Sequence, residues 1–457
     1  MSKRPNIVII AVHDLGTRLG CYGWENVPSP RLDGLAEDGV RFENNFCTGP
    51  YCSPSKDSII TGKYPHVNGL MGLVNLGWEW HENNLNLAKA LGNAGYDTHL
   101  FGFQHEASNE QVGKLGFKHV SDRSLRHNCE NVAPLVEDFL AGRDAGADEP
   151  FYARIGFNEV HRPIESNEPE DPSRVSLPGH IKDTPGARED FALFDGAIRR
   201  MDTAVGRILD GIERAGLKHN TVVVFTADHG IPFPGAKATL YDPGINTTLI
   251  MRWPGGMPSG KTYSELLSNV DLFPTLLEIA GVEIPGDIQG RSFLPLFNGG
   301  DYEAREMIFA EKNTTPIDVK RCVRTARFKY IRNYNTGPRL VLSTDIEKSL
   351  TRRDMGNDHL VPRPEIELYD LENDPHETEN LAGKAEFANV EQELSVRLKN
   401  VQEITGDPIL DGSLKRPPDE TEIYSKARRN MAEKCPFPRE GLLTGYEAND
   451  RISDFAR

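Results

Sequence analysis

Two apolar runs in this chain each end in a neighbouring acid and histidine. Ile7-Val8-Ile9-Ile10-Ala11-Val12 leads into His13-Asp14-Leu15-Gly16, and Thr221-Val222-Val223-Val224-Phe225-Thr226 leads into Ala227-Asp228-His229-Gly230. Carboxylates and imidazoles gathered at two strand ends make a donor set for a divalent metal ion. Oxygen ligands alone suit calcium, and each imidazole moves the preference toward manganese, zinc or a similar ion. Adjacent strand residues point to opposite faces, so His13 and Asp14 both ligate only where the strand has already ended. A third stretch, Cys52-Ser53-Pro54-Ser55-Lys56, continues to Thr61-Gly62-Lys63. Pro54 and Ser55 suit a helix start, Asp57 to Thr61 its body and Gly62 its C-cap. Cys52 then stands beside a helix N-terminus, where the dipole and free amides favour an anion.

The elements that would carry these residues follow from pattern. Both apolar runs are β-branched and unalternating, as strands buried on two faces are. Phe151 to Phe157 is another such run, and Leu85 to Ala94 and Asp190 to Ala215 have helical apolar spacing. Strand–helix alternation over this span predicts an α/β domain, its mostly parallel, doubly wound sheet flanked by helices. Ligands of such sheets bind outside the carboxyl ends of the strands, where both acid–histidine pairs fall. After about residue 300 the pattern changes. Arg321 to Thr325, Phe328 to Arg332 and Glu367 to Leu371 alternate, and about Ala385 to Val401 is helical. We expect a catalytic domain over 1–315, a smaller α+β domain with an antiparallel sheet over 316–405, and an extended tail, 406–457, packed on the surface.

Composition narrows the function classes. A net charge of −16 over 457 residues argues against a general grip on nucleic acid, which needs a basic surface. A local cluster of cations can still bind a small anion. Six cysteines with no C-x-x-C pair resemble neither a disulfide framework nor a zinc module. No stretch approaches the roughly 18 apolar residues of a membrane span, and the six apolar residues near the start are too few for a secretory segment. The expectation is a soluble, cytoplasmic protein with no membrane partner.

The Cys52 stretch resembles the sulfatase signature C-x-P-S-R-x-x-x-x-T-G-R. The resemblance extends over most of the chain, through Pro5 to Asp14, Ser29 to Asp33, Thr226 to Gly230, Lys237-Ala238-Thr239-Leu240-Tyr241-Asp242, Asn269 to Thr275 and Leu368 to Leu381. It implies that a maturation enzyme oxidises Cys52 to formylglycine and that the hydrated aldehyde attacks sulfur. One divalent ion, calcium or manganese, would be held by Asp14, Asp228, His229, His13 and the Cys52-derived oxygen. Lys56, Lys237 and His161 would bind the sulfuryl oxygens, and His105 or His161 would protonate the leaving group.

Three positions depart from the family pattern. Lys56 replaces an arginine that maturation enzymes read, Phe103 replaces a sulfate-binding lysine, and His13 replaces the first of two metal-binding carboxylates. The implied activity is hydrolysis of a sulfate ester or N-sulfate. His66 to Leu73 and Gln104-His105-Glu106 are similar to the heparan N-sulfatase branch, which would make the small anionic substrate a sulfated sugar. The alternatives are a phosphonate monoester or phosphodiester hydrolase of the same superfamily, and a binding protein with unmodified Cys52. Trp78 and Trp80 could be pocket walls or core.

Overall fold

The computed structural model describes residues 4–143, 146, 148–313 and 318–450. An eight-stranded sheet forms its centre, in the order His119–Val120, Asp97–Gly102, Phe151–Gly156, Asn6–Val12, Thr221–Ala227, Leu249–Arg252, Val40–Phe42, Lys261–Tyr263. Only Leu249–Arg252 runs antiparallel to its neighbours. The two apolar runs form the centre of the sheet, paired in parallel from Asn6 beside Thr221 to Val12 beside Ala227.

Their lack of alternation has the expected cause, because both faces are covered. Val8, Ile10 and Val12 pack beneath the helices Cys129–Ala141 and Pro185–Arg214. Ile7, Ile9 and Ala11 pack on the other face with Ile59, Ile60, Leu87, Leu91, Phe273 and Leu276. No helix among the described residues is long and apolar enough to cross a membrane.

A four-stranded antiparallel sheet follows, ordered Met307–Lys312, Lys320–Thr325, Phe328–Asn333, Ile366–Asp370. The helix Ala388–Thr405 buries Leu394 and Leu398 among residues of this sheet. Phe46, Leu240, Tyr241 and Ile245 of the large sheet's side pack with Ile308, Ala310, Cys322 and Ile331. The boundary expected at 315/316 falls in 314–317, outside the described residues, and the first strand of the small sheet precedes it.

The tail is not extended. It forms the helices Glu420–Glu433 and Gly445–Asp450, while 451–457 lie outside the described residues. Glu420 accepts a hydrogen bond from Trp78 Nε1 at 2.9 Å and Tyr424 packs with Trp78 and Trp80. Trp80 Nε1 donates to Asp57 at 2.8 Å, so both tryptophans are core. The tail helix is stabilised by this seam; its own sequence has no continuous apolar stripe.

Candidate active site

The strand Asn6–Val12 ends where its register with Thr221–Ala227 ends, which turns the next residue of each out of the sheet. Asp14 then adopts φ 53°, a left-handed conformation that a short polar side chain tolerates. That reversal lets His13 and Asp14 face one point, as the metal reading required. The Asp14 amide donates to Asp228 Oδ1 at 2.9 Å, tying the two strand ends together.

The helix bearing Cys52 spans Cys52–Thr61, so Cys52 is its first residue and the helix begins earlier than the expected Pro54–Ser55 start. The preceding Tyr51 is extended and no side chain caps the first turn. Gly62 closes the helix at φ 69°, as its C-cap role predicts. Ser55 Oγ donates to the Asp228 carbonyl, and Asn269 Nδ2 donates to Ser55 Oγ at 3.0 Å. Those bonds seat the helix start against the end of Thr221–Ala227.

The four predicted positions His13, Asp14, Cys52 and Asp228 bring one ligand atom each to within 4.8 Å of one another, all buried. His229 joins them, its Nε2 3.2 Å from Asp14 Oδ1 and 3.5 Å from Cys52 Sγ. Its Nδ1 donates to the Gly230 carbonyl at 3.0 Å, so whenever the ring is neutral it is Nε2 that presents a lone pair to the cluster. Asp14 Oδ1, Asp228 Oδ2 and both His13 nitrogens are buried and make no hydrogen bond. Buried polar atoms are rarely left so, and here they converge. The residues present therefore fit a divalent cation.

Charge is arranged around this point. Burial alone would raise the Asp228 carboxyl, but His229, Lys56 and His13 hold it well below its usual range. Lys56 Nζ lies 3.2 Å from Asp228 Oδ2. Lys237 Nζ donates to Asp14 Oδ2 at 2.7 Å and to Asp345 Oδ2 at 2.9 Å. Burial opposes its charge, yet those two carboxylates hold it protonated, well above the ordinary lysine value. Burial pushes the Cys52 thiol well up, so as an unmodified residue it is a poor nucleophile.

His161 directs Nδ1 to the Arg162 carbonyl and Nε2 to Lys237 Nζ, 3.1 Å away. His105 is buried, and burial with Lys56 nearby lowers its pKa to about 4. Its loop is fixed from below. The His105 amide donates to Glu106 Oε2 at 2.8 Å, and Glu106 Oε1 meets Arg154 at 3.1 Å in a buried pair. Phe103 leaves the sheet after Gly102, whose φ of 71° and whose missing Cβ, 2.4 Å from the Gly156 carbonyl, leave room for glycine alone.

Every residue expected from sequence lies in or against this site. Asp345 was not expected, because it sits in a polar loop more than 100 residues from Lys237 and no local pattern marks it. Arg162, which forms a buried bidentate pair with Asp190 at 2.8 Å and holds the Pro232 carbonyl at 2.9 Å, was also missed. Its place next to His161 and before Pro163 was the available signal.

A family model described as Sulfatase matches residues 5–282. The chain belongs to the sulfatase family. A second model, N-sulphoglucosamine sulphohydrolase, C-terminal, matches residues 234–348 of this sulfatase. The enzyme is 28% identical to an ulvan-active sulfatase of Formosa agariphila, over 98% of its own length and 84% of the relative's. It is also 28% identical to N-sulphoglucosamine sulphohydrolase of Homo sapiens, over 89% of this chain and 91% of that one. The structure of BT4656 with D-glucosamine-2-N,6-O-disulfate matches at TM-score 0.71 and 23% identity, covering 89% of this chain and 99% of that one, and shows the shared fold. This sulfatase is accordingly a hydrolase with an alkaline-phosphatase-like α/β core.

Proposed function

We propose that this sulfatase hydrolyses a sulfate ester or N-sulfate on a sugar, using formylglycine derived from Cys52 and one divalent metal ion. The observation that carries the reading is the convergence of Cys52 Sγ with the buried ligand atoms of His13, Asp14 and Asp228. His229 Nε2 adds a fifth donor. A metal ion there would lower the pKa of the nucleophile and withdraw charge from the sulfuryl oxygens.

The chain's own residues supply the rest. Lys56 and Lys237 flank the cluster and offer fixed positive charge to the sulfuryl oxygens, where charge is held during transfer. His161 Nε2 stands 3.1 Å from Lys237 Nζ and helps to place that cation. His105 is the better placed leaving-group acid, because His161 already commits Nδ1 to the Arg162 carbonyl and Nε2 to Lys237. His105 Nδ1 is buried and makes no hydrogen bond. A bound sulfate anion would raise its low pKa toward neutrality. A formylglycine-generating enzyme is the implied partner for maturation.

The sugar assignment is supported by the relatives, which act on ulvan and on N-sulphoglucosamine by name. The test is a screen of glucosamine N-sulfate, glucosamine 6-sulfate, an aryl sulfate, a phosphonate monoester and a phosphate diester, with metal added. Turnover of a sulfated glucosamine above the other substrates is expected. Preference for the phosphonate or the diester would move the chain to the phosphonate hydrolases.

A further inference from the structure

We infer that His13 and His229 make this centre selective for a borderline divalent transition ion, zinc or manganese, over calcium. The inference rests on the metal centre of the proposed function and adds which ion the site is built to hold. The two strand ends cross-pair: His13 Nδ1 lies 3.3 Å from Asp228 Oδ2, and His229 Nε2 lies 3.2 Å from Asp14 Oδ1. Each imidazole thus faces the carboxylate delivered by the other strand. An ordinary histidine–aspartate hydrogen bond would explain such pairs in a site without metal. It does not explain this one, because both His13 nitrogens, Asp14 Oδ1 and Asp228 Oδ2 make no hydrogen bond although all are buried.

Lys56 and Lys237 do not fill the gap either. Lys237 engages Asp14 through Oδ2, the oxygen opposite the one facing His229. Lys56 approaches Asp228 Oδ2 at 3.2 Å without a hydrogen bond to it, and donates instead to the Val12 carbonyl at 3.4 Å. With His229 Nε2, which also lies 3.5 Å from Cys52 Sγ, the donor set comprises two imidazole nitrogens and two carboxylate oxygens. Calcium takes six to eight oxygens, and a site that spends two of its few protein ligands on imidazole forfeits affinity for it. Zinc and manganese accept mixed nitrogen–oxygen sets, with zinc bound the more tightly of the two. The packing of Phe103 against His13, centroids 4.3 Å apart, keeps the ring in place where a flexible side chain would leave it free.

The test uses the full chain, stripped of metal by chelation, in wild type, His13→Asp, His229→Asn and a Cys52→Ser background that removes sulfur as a ligand. Competition against a chromogenic chelator gives the affinities for zinc, manganese and calcium. Pulsed electron paramagnetic resonance of the manganese-loaded protein counts coupled imidazole nitrogens. Wild type is expected to bind calcium at least 100-fold more weakly than zinc and to show two nitrogen couplings. His13→Asp should narrow the zinc-to-calcium ratio at least tenfold and leave one coupling, and His229→Asn should likewise leave one, so either variant suffices if the other does not fold. Calcium competing on equal terms in wild type, or an unchanged ratio with no nitrogen coupling lost in both variants, overturns the inference. None of these readouts needs turnover. Two couplings in a protein that hydrolyses no sulfate would overturn the proposed function alone, and sulfatase activity at a calcium-selective centre would overturn this inference alone.

Discussion

The ring of His13 stands edge-on against that of Phe103, their centroids 4.3 Å apart and their planes at 76°. The same phenyl ring lies 5.6 Å from His105. Two of the positions where the sequence departs from the pattern its family resemblance implies, His13 for a carboxylate and Phe103 for a lysine, are therefore one packed unit. Edge-to-face pairs contribute about 0.5–1.5 kcal/mol beyond the area they bury. The pair exchanges charge for packing beside the cluster of His13, Asp14, Cys52 and Asp228.

Phe103→Lys follows directly. In the proposed mechanism the cations offered to the transferred group are Lys56, Lys237, the metal ion and protonated histidines, a set that should suit a singly charged group such as a sulfate monoester or sulfamate. A phosphate monoester carries about two charges near neutral pH. We expect wild type to favour the sulfate ester in kcat/KM over a phosphate monoester with the same leaving group. Phe103→Lys should narrow that gap by about tenfold, a change of roughly 1.4 kcal/mol. A wild type that prefers the phosphate monoester would sink the charge argument.

Cys52→Ala should lower turnover by about 10³-fold or more, as removal of a covalent nucleophile does. The fold should persist, since Cys52 is the first residue of its helix and the Ser55 and Asn269 contacts remain. Intact-mass measurement of wild type should find a species about 18 Da lighter than the thiol form, the signature of formylglycine in the proposed mechanism. Substantial activity in the alanine variant, with native circular dichroism, would refute the nucleophile.

Asp345 should act through Lys237. Its carboxylate accepts from Lys237 Nζ at 2.9 Å, and Lys237 also holds it ionised. Asp345→Asn should lower kcat/KM by about tenfold, because a lysine with one carboxylate lost is less firmly placed. In an Asp345→Asn background, Lys237→Ala should cost less than in wild type, the mark of two residues acting as a unit. Additive losses across the double-mutant cycle would show that they act separately.

The parts of this site that sequence revealed are those carried by local pattern. Asn6–Val12 and Thr221–Ala227 are apolar without alternation because both faces are covered, so the strands and the acid–histidine ends could be read together. Cys52, Lys56 and Gly62 lie within eleven residues of each other, and a single helix start explains their spacing. Leu249–Arg252, the one reversed strand of the large sheet, has four residues, too few for any period to declare a direction. Asp345 reaches Lys237 only through the docking of the small sheet on the large one, which no local pattern encodes. Glu420–Glu433 was unreadable as a helix for a similar reason: its charged sequence is held by Trp78 and by the stacking of Tyr424 on Tyr446, ring centroids 4.3 Å apart.

Asp57 offers a prediction about stability. It lies buried in the Cys52 helix, where Oδ1 accepts from Trp80 Nε1 at 2.8 Å and Oδ2 makes no hydrogen bond. Burial pushes its pKa up to about 8, against the pull of the Trp80 hydrogen bond the other way. In the unfolded chain the same carboxyl titrates near the ordinary aspartate value of about 3.9. Between about pH 4 and pH 8 the unfolded state therefore releases a proton that the folded state keeps. Stability from this group is complete below the unfolded pKa and is lost as pH rises through the folded pKa, at up to ~1.4 kcal/mol per pH unit. Asp57→Asn removes the titration while its amide oxygen can still accept the Trp80 N–H. The variant's advantage in melting temperature over wild type should be smallest at pH 5 and grow steadily to pH 8. Thermal unfolding of both proteins at pH 5, 6, 7 and 8 reads the difference, which cancels the titration of every group they share. A difference in Tm that does not grow with pH would show that Asp57 is ionised in the folded protein, and that the hydrogen bond from Trp80 outweighs its burial.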